Sequence, residues 1–118
     1  MQRTEPFIQV DKIFHWIRTA PFHHKMVLLT LSDLIAQGKI PSTLTVYNEY
    51  QKRIRAMGLA PLSYRSIQRV LQELEDSRMI RRTWFRRRKR TTKVVNSLVI
   101  PPEAIRDIFR YLYPSWRL

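Results

Sequence analysis

The stretch GLAPLSYRSIQRVLQELEDS, residues 58–77, decides the fold. It opens on a glycine and a proline-bearing turn, passes Ser63, and then sets Ile67, Val70, Leu71 and Leu74 at spacings of three, four and seven. That is the apolar stripe of an amphipathic helix. Ser63 stands where an N-cap is wanted, because its hydroxyl can accept a free backbone N–H of the first turn. Facing outward are Tyr64, Arg65, Ser66, Gln68, Arg69 and Gln72, with the acids Glu73, Glu75 and Asp76 kept to the far end.

On the N-terminal side, VYNEYQKRIRAM (46–57) reads as a helix with Val46, Tyr50, Ile54 and Met57 on its inner side. Thr43 or Thr45 is its expected cap, and Gly58 its stop. Before it, FHHKMVLLTLSDLIAQG (22–38) presents a broad apolar face that includes Met26, Leu29 and Leu34, and it ends at Gly38. This is the most hydrophobic helix and the expected centre of the core. Residues 1–10 read as an extended lead-in, after which Asp11 caps a short helix bearing Ile13, Phe14 and Ile17.

On the C-terminal side, MIRRTWF (79–85) and KVVNSLVI (93–100) are rich in aromatic and β-branched residues and read as two strands joined by a basic loop. Pro101 and Pro102 open a last helix with Ile105, Ile108, Phe109 and Leu112 on one face, closed by Pro114. Helix, helix, turn, helix, hairpin is the order of a winged helix-turn-helix domain. The fold class is mainly α with a small β-hairpin, or α+β. Residues 1–19 read as an N-terminal extension with a short helix, 20–100 as the DNA-binding domain, and 101–118 as a C-terminal helical extension.

Charge points to the partner. The 118 residues include 22 Lys and Arg against nine Asp and Glu, a formal net charge of +13. A compact molecule so charged repels itself and favours an anionic partner: nucleic acid, an anionic membrane surface or an acidic protein. Hydrophobic residues at 44% and only two glycines argue for a folded core over a disordered basic chain. With no cysteine, a disulfide scaffold and thiolate zinc sites are excluded. No apolar run reaches the roughly 18–20 residues that cross a bilayer, and the N-terminus has no secretory signal pattern. The expected location is cytoplasmic and nucleoid-associated, or nuclear in a eukaryotic host.

The second helix of a helix-turn-helix enters the major groove and reads bases from its N-terminal end. Ser63, Tyr64, Arg65, Ser66, Gln68, Arg69 and Gln72 suit that task, since Arg pairs with guanine, Gln with adenine, and hydroxyls with phosphate or base. Taken alone, this face is as well explained as a solvated helix surface. The neighbouring hairpin tips the balance toward DNA. Residues 81–93 carry eight cations and no acid. Arg86, Arg87, Arg88, Lys89 and Arg90 form the expected wing, with Arg81, Arg82 and Lys93 on its flanking strands; such a wing can clamp the backbone or enter the minor groove. RRRKR also fits a nuclear-localisation patch or non-specific RNA binding. Trp84 and Phe85 can stack on bases, although strand alternation predicts at least one of them in the core.

Enzyme chemistry finds no footing. The chain has no GxxxxGK[ST], GxGxxG or HExxH pattern. Its histidines are His15, His23 and His24, and neighbouring helical residues cannot both face one site. No metal, cofactor or catalytic set is expected. The apolar stripe of the last helix either seals the core, the commoner outcome, or offers a homodimer face.

From Ala20 onward the sequence resembles the C-terminal winged-helix domain of the AAA+ origin-recognition initiators, the archaeal and eukaryotic Orc/Cdc replication proteins. APFHHKMVLLTLSDL (20–34) carries Pro21, His24 and Lys25 at marked positions. TVYNEYQKRIRAMGLAPLS (45–63) matches through Val46, Tyr47, Tyr50, Gly58, Pro61, Leu62 and Ser63, and YRSIQRVLQELEDSRMI (64–80) matches the recognition helix. The resemblance implies binding to duplex replication-origin DNA, with Ser63, Arg65, Ser66, Gln68 and Arg69 on recognition-helix positions, the wing as a second contact, and separate replication proteins as partners. Three departures stand out: Ala20 replaces a Leu, Arg78 replaces the Gly that ends the recognition helix, and the wing lacks a Gly-Arg turn. The AAA+ module is not in these residues. That suggests an excised domain or a small stand-alone protein such as a plasmid or virus encodes. A winged-helix transcriptional regulator, or an adaptor for an acidic protein, is the alternative reading.

Overall fold

The computed structural model describes residues 5–87 and 91–116. The described elements are α1 (Glu5–Thr19), α2 (Phe22–Ala36), α3 (Thr43–Ala56), α4 (Tyr64–Asp76), β1 (Ile80–Arg87), β2 (Thr91–Leu98) and α5 (Pro102–Leu112). The strands pair antiparallel as a two-stranded ribbon, in register from Ile80 opposite Leu98 to Arg87 opposite Thr91. This is the winged helix-turn-helix order read from the sequence.

The α2 helix is central because its apolar residues run around most of its circumference, which suits a helix enclosed by others. Residues Met26 to Ser32 are all buried, and α5, α3, α4 and β2 pack around it. Ile67, Val70, Leu71 and Leu74 bring the inner face of α4 into the same core. The flanking helices join it too: Ile13 and Ile17 of α1 and Ile105, Ile108 and Phe109 of α5 belong to one continuous cluster. Most of the apolar stripe of α5 is therefore buried within its own chain. Asp33 on α2 ties the bundle across its side, receiving Arg53 of α3 and Arg106 of α5, the latter at 3.3 Å.

Three helices close in one way. The N–H of Lys39 reaches Leu34 O at 3.0 Å, Leu59 reaches Ile54 O at 3.1 Å, and Met79 reaches Leu74 O at 2.9 Å. Each closure needs a left-handed residue just before its donor: Gly38 at φ 75°, Gly58 at φ 77°, and Arg78 at φ 64°. Glycine takes that conformation freely, whereas an L-residue loses about 1–2 kcal/mol there. Arg78→Gly should therefore stabilise the fold by about 0.5–1 kcal/mol after the extra freedom of glycine in the unfolded chain is counted. Urea unfolding should show a higher midpoint at an unchanged m-value.

Local readings need correction at three places. The first helix begins at Glu5 and not at Asp11, so residues 5–10 are helical and not an extended lead-in. Pro6 does not prevent this, because a first-turn N–H has no intrahelical acceptor to lose. The cap of α3 is Ser42, whose Oγ accepts from Thr45 N at 3.3 Å, and not Thr43 or Thr45. Met57 lies past the end of α3 and is 47% exposed, not on the inner side.

Candidate nucleic-acid interface

The turn into α4 is held by two tyrosines of α3. Tyr50 is fully buried, and its hydroxyl accepts the N–H of Leu62 at 2.9 Å. The same hydroxyl lies 2.7 Å from Nδ1 of His23, a second hydrogen-bond partner. Tyr47 donates to the carbonyl of Leu62 at 3.4 Å, and its ring meets Tyr64 edge-on at 5.1 Å. Both main-chain polar groups of Leu62 are thus gripped immediately before Ser63. There the Ser63 hydroxyl accepts from Ser66 N at 3.2 Å, which sets the first turn of α4. The expected N-cap is the observed one.

Burial opposes charge in this chain of bonds. It pushes the Tyr50 phenol above its ordinary pKa, partly offset by the Leu62 N–H. Burial, with His24 nearby, holds His23 below its ordinary value of 6.5. The native state therefore binds a proton at His23 less readily than the unfolded chain does. The contribution of His23 to stability is full above pH 6.5 and is lost as pH falls through its depressed native value. His23→Asn offers an amide oxygen to Tyr50 without a titrating ring, and it should flatten the decline in stability measured between pH 7 and 5.

From this fixed start, α4 presents Arg65, Gln68, Arg69 and Gln72 on its exposed side, with Ser66 half-buried and Tyr64 at the margin. No acid lies in the first turn. Glu73 is drawn back toward the body of the protein, where Oε1 lies 2.6 Å from Nε2 of His24 on α2.

The base of the hairpin is fastened beside α4 by Arg82. Its Nε donates to Asn96 Oδ1 at 3.0 Å, Nη2 to Thr43 Oγ1 at 3.0 Å, and Nη1 to Gln72 Oε1 at 3.4 Å. The backbone N–H of Arg82 donates to Glu75 at 3.2 Å. Asn96 is fully buried, yet its side-chain amide and its backbone N–H both donate to Pro41 O at 3.0 Å, so no polarity is stranded. The guanidinium of Arg82 thus joins β1, β2, the start of α3 and the outward face of α4. Gln72 shares in this network, its amide nitrogen donating to Asp76 at 3.1 Å.

Arg81 is exposed on β1. Arg86, Arg87 and Lys93 lie on the ribbon, Arg86 opposite Thr92, Arg87 opposite Thr91, and Lys93 opposite Phe85. Arg88, Lys89 and Arg90 lie outside the described residues. Neither wing aromatic is in the core: Trp84 is 62% exposed and Phe85 50%, contrary to the expectation for at least one of them. The alternation rule predicts a buried face only where a sheet lies on a core, and here the ribbon runs past the helices. The sequence reading missed Asn96, Thr43 and the Tyr47–Tyr50 grip. An asparagine among β-branched residues was the available signal for the first, since it is depleted in strands unless it bonds to something.

A helix-turn-helix whose second helix shows a polar, acid-free start, with a basic two-stranded wing fastened beside it, defines a winged-helix protein. The chain belongs to the family described as the CDC6 C-terminal winged helix domain, whose model matches residues 15–108. It is 30% identical over 113 residues to an ORC1-type DNA replication protein of Pyrococcus abyssi, covering 94% of this chain and 27% of that protein. It is 31% identical over 68 residues to ORC1-type DNA replication protein 1 of Aeropyrum pernix, covering 58% of this chain and 17% of the relative. The structure of the Aeropyrum pernix ORC1 protein in complex with DNA superposes with a TM-score of 0.81 at 23% identity, covering 91% of this chain and 28% of that one. The chain thus spans 17% to 28% of the length of these relatives.

Proposed function

We propose that this chain binds duplex DNA sequence-specifically and serves replication-origin recognition. In this reading α4 enters the major groove from its capped end, Arg65, Gln68 and Arg69 meet base edges, and Ser63, Tyr64 and Ser66 meet the backbone. Arg81 and the wing cations Arg86, Arg87, Arg88, Lys89, Arg90 and Lys93 neutralise flanking phosphates or enter the minor groove. Arg82 and Gln72 set the angle between helix and wing. The observation that carries the reading is the pairing of an acid-free, exposed start of α4 with a basic ribbon fastened at its side. That the Aeropyrum pernix ORC1 structure is a complex with DNA, and that the sequence relatives are DNA replication proteins, supports both parts of it.

The test is titration of the chain against random duplex, single-stranded DNA and RNA at several salt concentrations, followed by selection from a random duplex pool. The expected result is tight duplex binding with an enriched sequence, and the enriched sequence should occur at a replication origin. Enrichment of promoter sequences would favour a transcriptional regulator. Weak binding without preference would point to an acidic protein partner.

A further inference from the structure

Trp84 and Phe85 are neighbours on β1, so they lie on opposite faces of the ribbon. Both residues are at least half exposed, and neither belongs to the packed core or to the apolar residues lying against it. The fold does not need them, because the hairpin is anchored below them by Met79, Ile80, Asn96 and Arg82. Trp84 is nevertheless held. The Arg82 guanidinium lies 5.7 Å from its ring centroid, and that guanidinium is fixed by Asn96, Thr43 and Gln72. The result is an indole supported on one side by a locked cation, a preorganised ring surface.

A partner for this ribbon must satisfy two chemistries. Eight cations and no acid in residues 81–93 call for phosphates. Two aromatic surfaces on opposite faces call for flat π systems. Fully paired duplex supplies the phosphates but hides its base faces in the stack, offering only edges and backbone. Unpaired nucleotides supply both, and base–aromatic stacking is the usual way proteins hold them. We infer that the wing of this chain carries a binding site for unpaired bases, with Trp84 and Phe85 as stacking surfaces on its two faces, adjoining the duplex held by α4. The inference rests on the duplex-binding reading and adds opened DNA as the preferred ligand.

The experiment compares three labelled DNAs by fluorescence anisotropy at one salt concentration: a perfect duplex, the same duplex with a short central run of mismatched thymines, and a single strand. Stacking on an aromatic changes affinity by about 5-fold to 150-fold per base. The wild-type chain should therefore bind the opened duplex at least about tenfold more tightly than the perfect one. In the Trp84→Ala/Phe85→Ala variant that ratio should fall to about one. Both rings are exposed, so the variant should keep the circular dichroism spectrum and melting temperature of the parent. A ratio of one in the wild type would overturn the inference while leaving duplex binding intact. So would an undiminished ratio in the variant, since the gain would then come from DNA flexibility. Binding to the single strand but not to duplex, with loss in the variant, would support the stacking site and sink the duplex reading. No binding to any of the three would overturn both.

Discussion

Replacing Arg86, Arg87, Arg88, Lys89 and Arg90 together by alanine is expected to raise the slope of log affinity against log salt by about four units. Each phosphate neutralised on a duplex contributes roughly −0.9 to that slope, because binding releases its condensed counterions. If all five cations reach phosphates, they contribute roughly −4 to −5 to the slope of the wild-type chain. Affinity should then fall by about 500-fold when salt rises fourfold. The variant should keep only the smaller slope due to Arg81 and Lys93 and bind every duplex weakly, with its sequence preference retained by α4. Titrations at four salt concentrations read this directly. An unchanged slope would remove the wing from the interface and leave the charge of residues 81–93 without a role in DNA binding.

Tyr50→Phe should cost the fold about 1–3 kcal/mol, although it removes a single oxygen atom. The hydroxyl is buried and has two partners, Leu62 N–H and His23 Nδ1, and a partner left unpaired in the interior loses its water without replacement. Tyr47→Phe should cost under about 1 kcal/mol, because that hydroxyl makes one long bond at 3.4 Å to a carbonyl that is only partly buried. The contrast matters for function. Tyr50 fixes the peptide one residue before the N-cap of α4, so its loss should loosen the entry angle of that helix as well as lower the denaturation midpoint. Denaturant unfolding of the two variants, followed by duplex titration, separates the effects. Equal costs for both would show that the hydroxyl of Tyr50 does not pin the turn.

The parts of the molecule that were legible in the sequence are those set by local periodicity. The stripe Ile67, Val70, Leu71, Leu74 and the cap Ser63 lie within three turns of one helix, and nothing distant competes with them. Gly38 and Gly58 mark their helix ends for a similar reason: the backbone conformation needed there selects the residue. Arg78 adopts the same conformation without the residue that advertises it. What stayed hidden depends on distance through space. Arg82 reads as one more wing cation until the fold brings Thr43, Gln72 and Asn96 around it. Trp84 and Phe85 read as neighbours of which at least one is in the core until the ribbon is seen to leave the helices behind. In each case a rule about residue type was sound, and the neighbours that decide its outcome lie far away in the chain.

The reach of α4 into a groove is tested most directly by measuring Arg69→Ala on two ligands, a selected duplex and a random duplex of equal length, at one salt concentration. The loss expected on the selected duplex is about 1–3 kcal/mol, because an arginine paired with a base discriminates by that amount, with a much smaller loss on random DNA. Equal losses on both would mean that Arg69 meets only phosphate, and an unchanged affinity on both would contradict the placement of α4 in the groove.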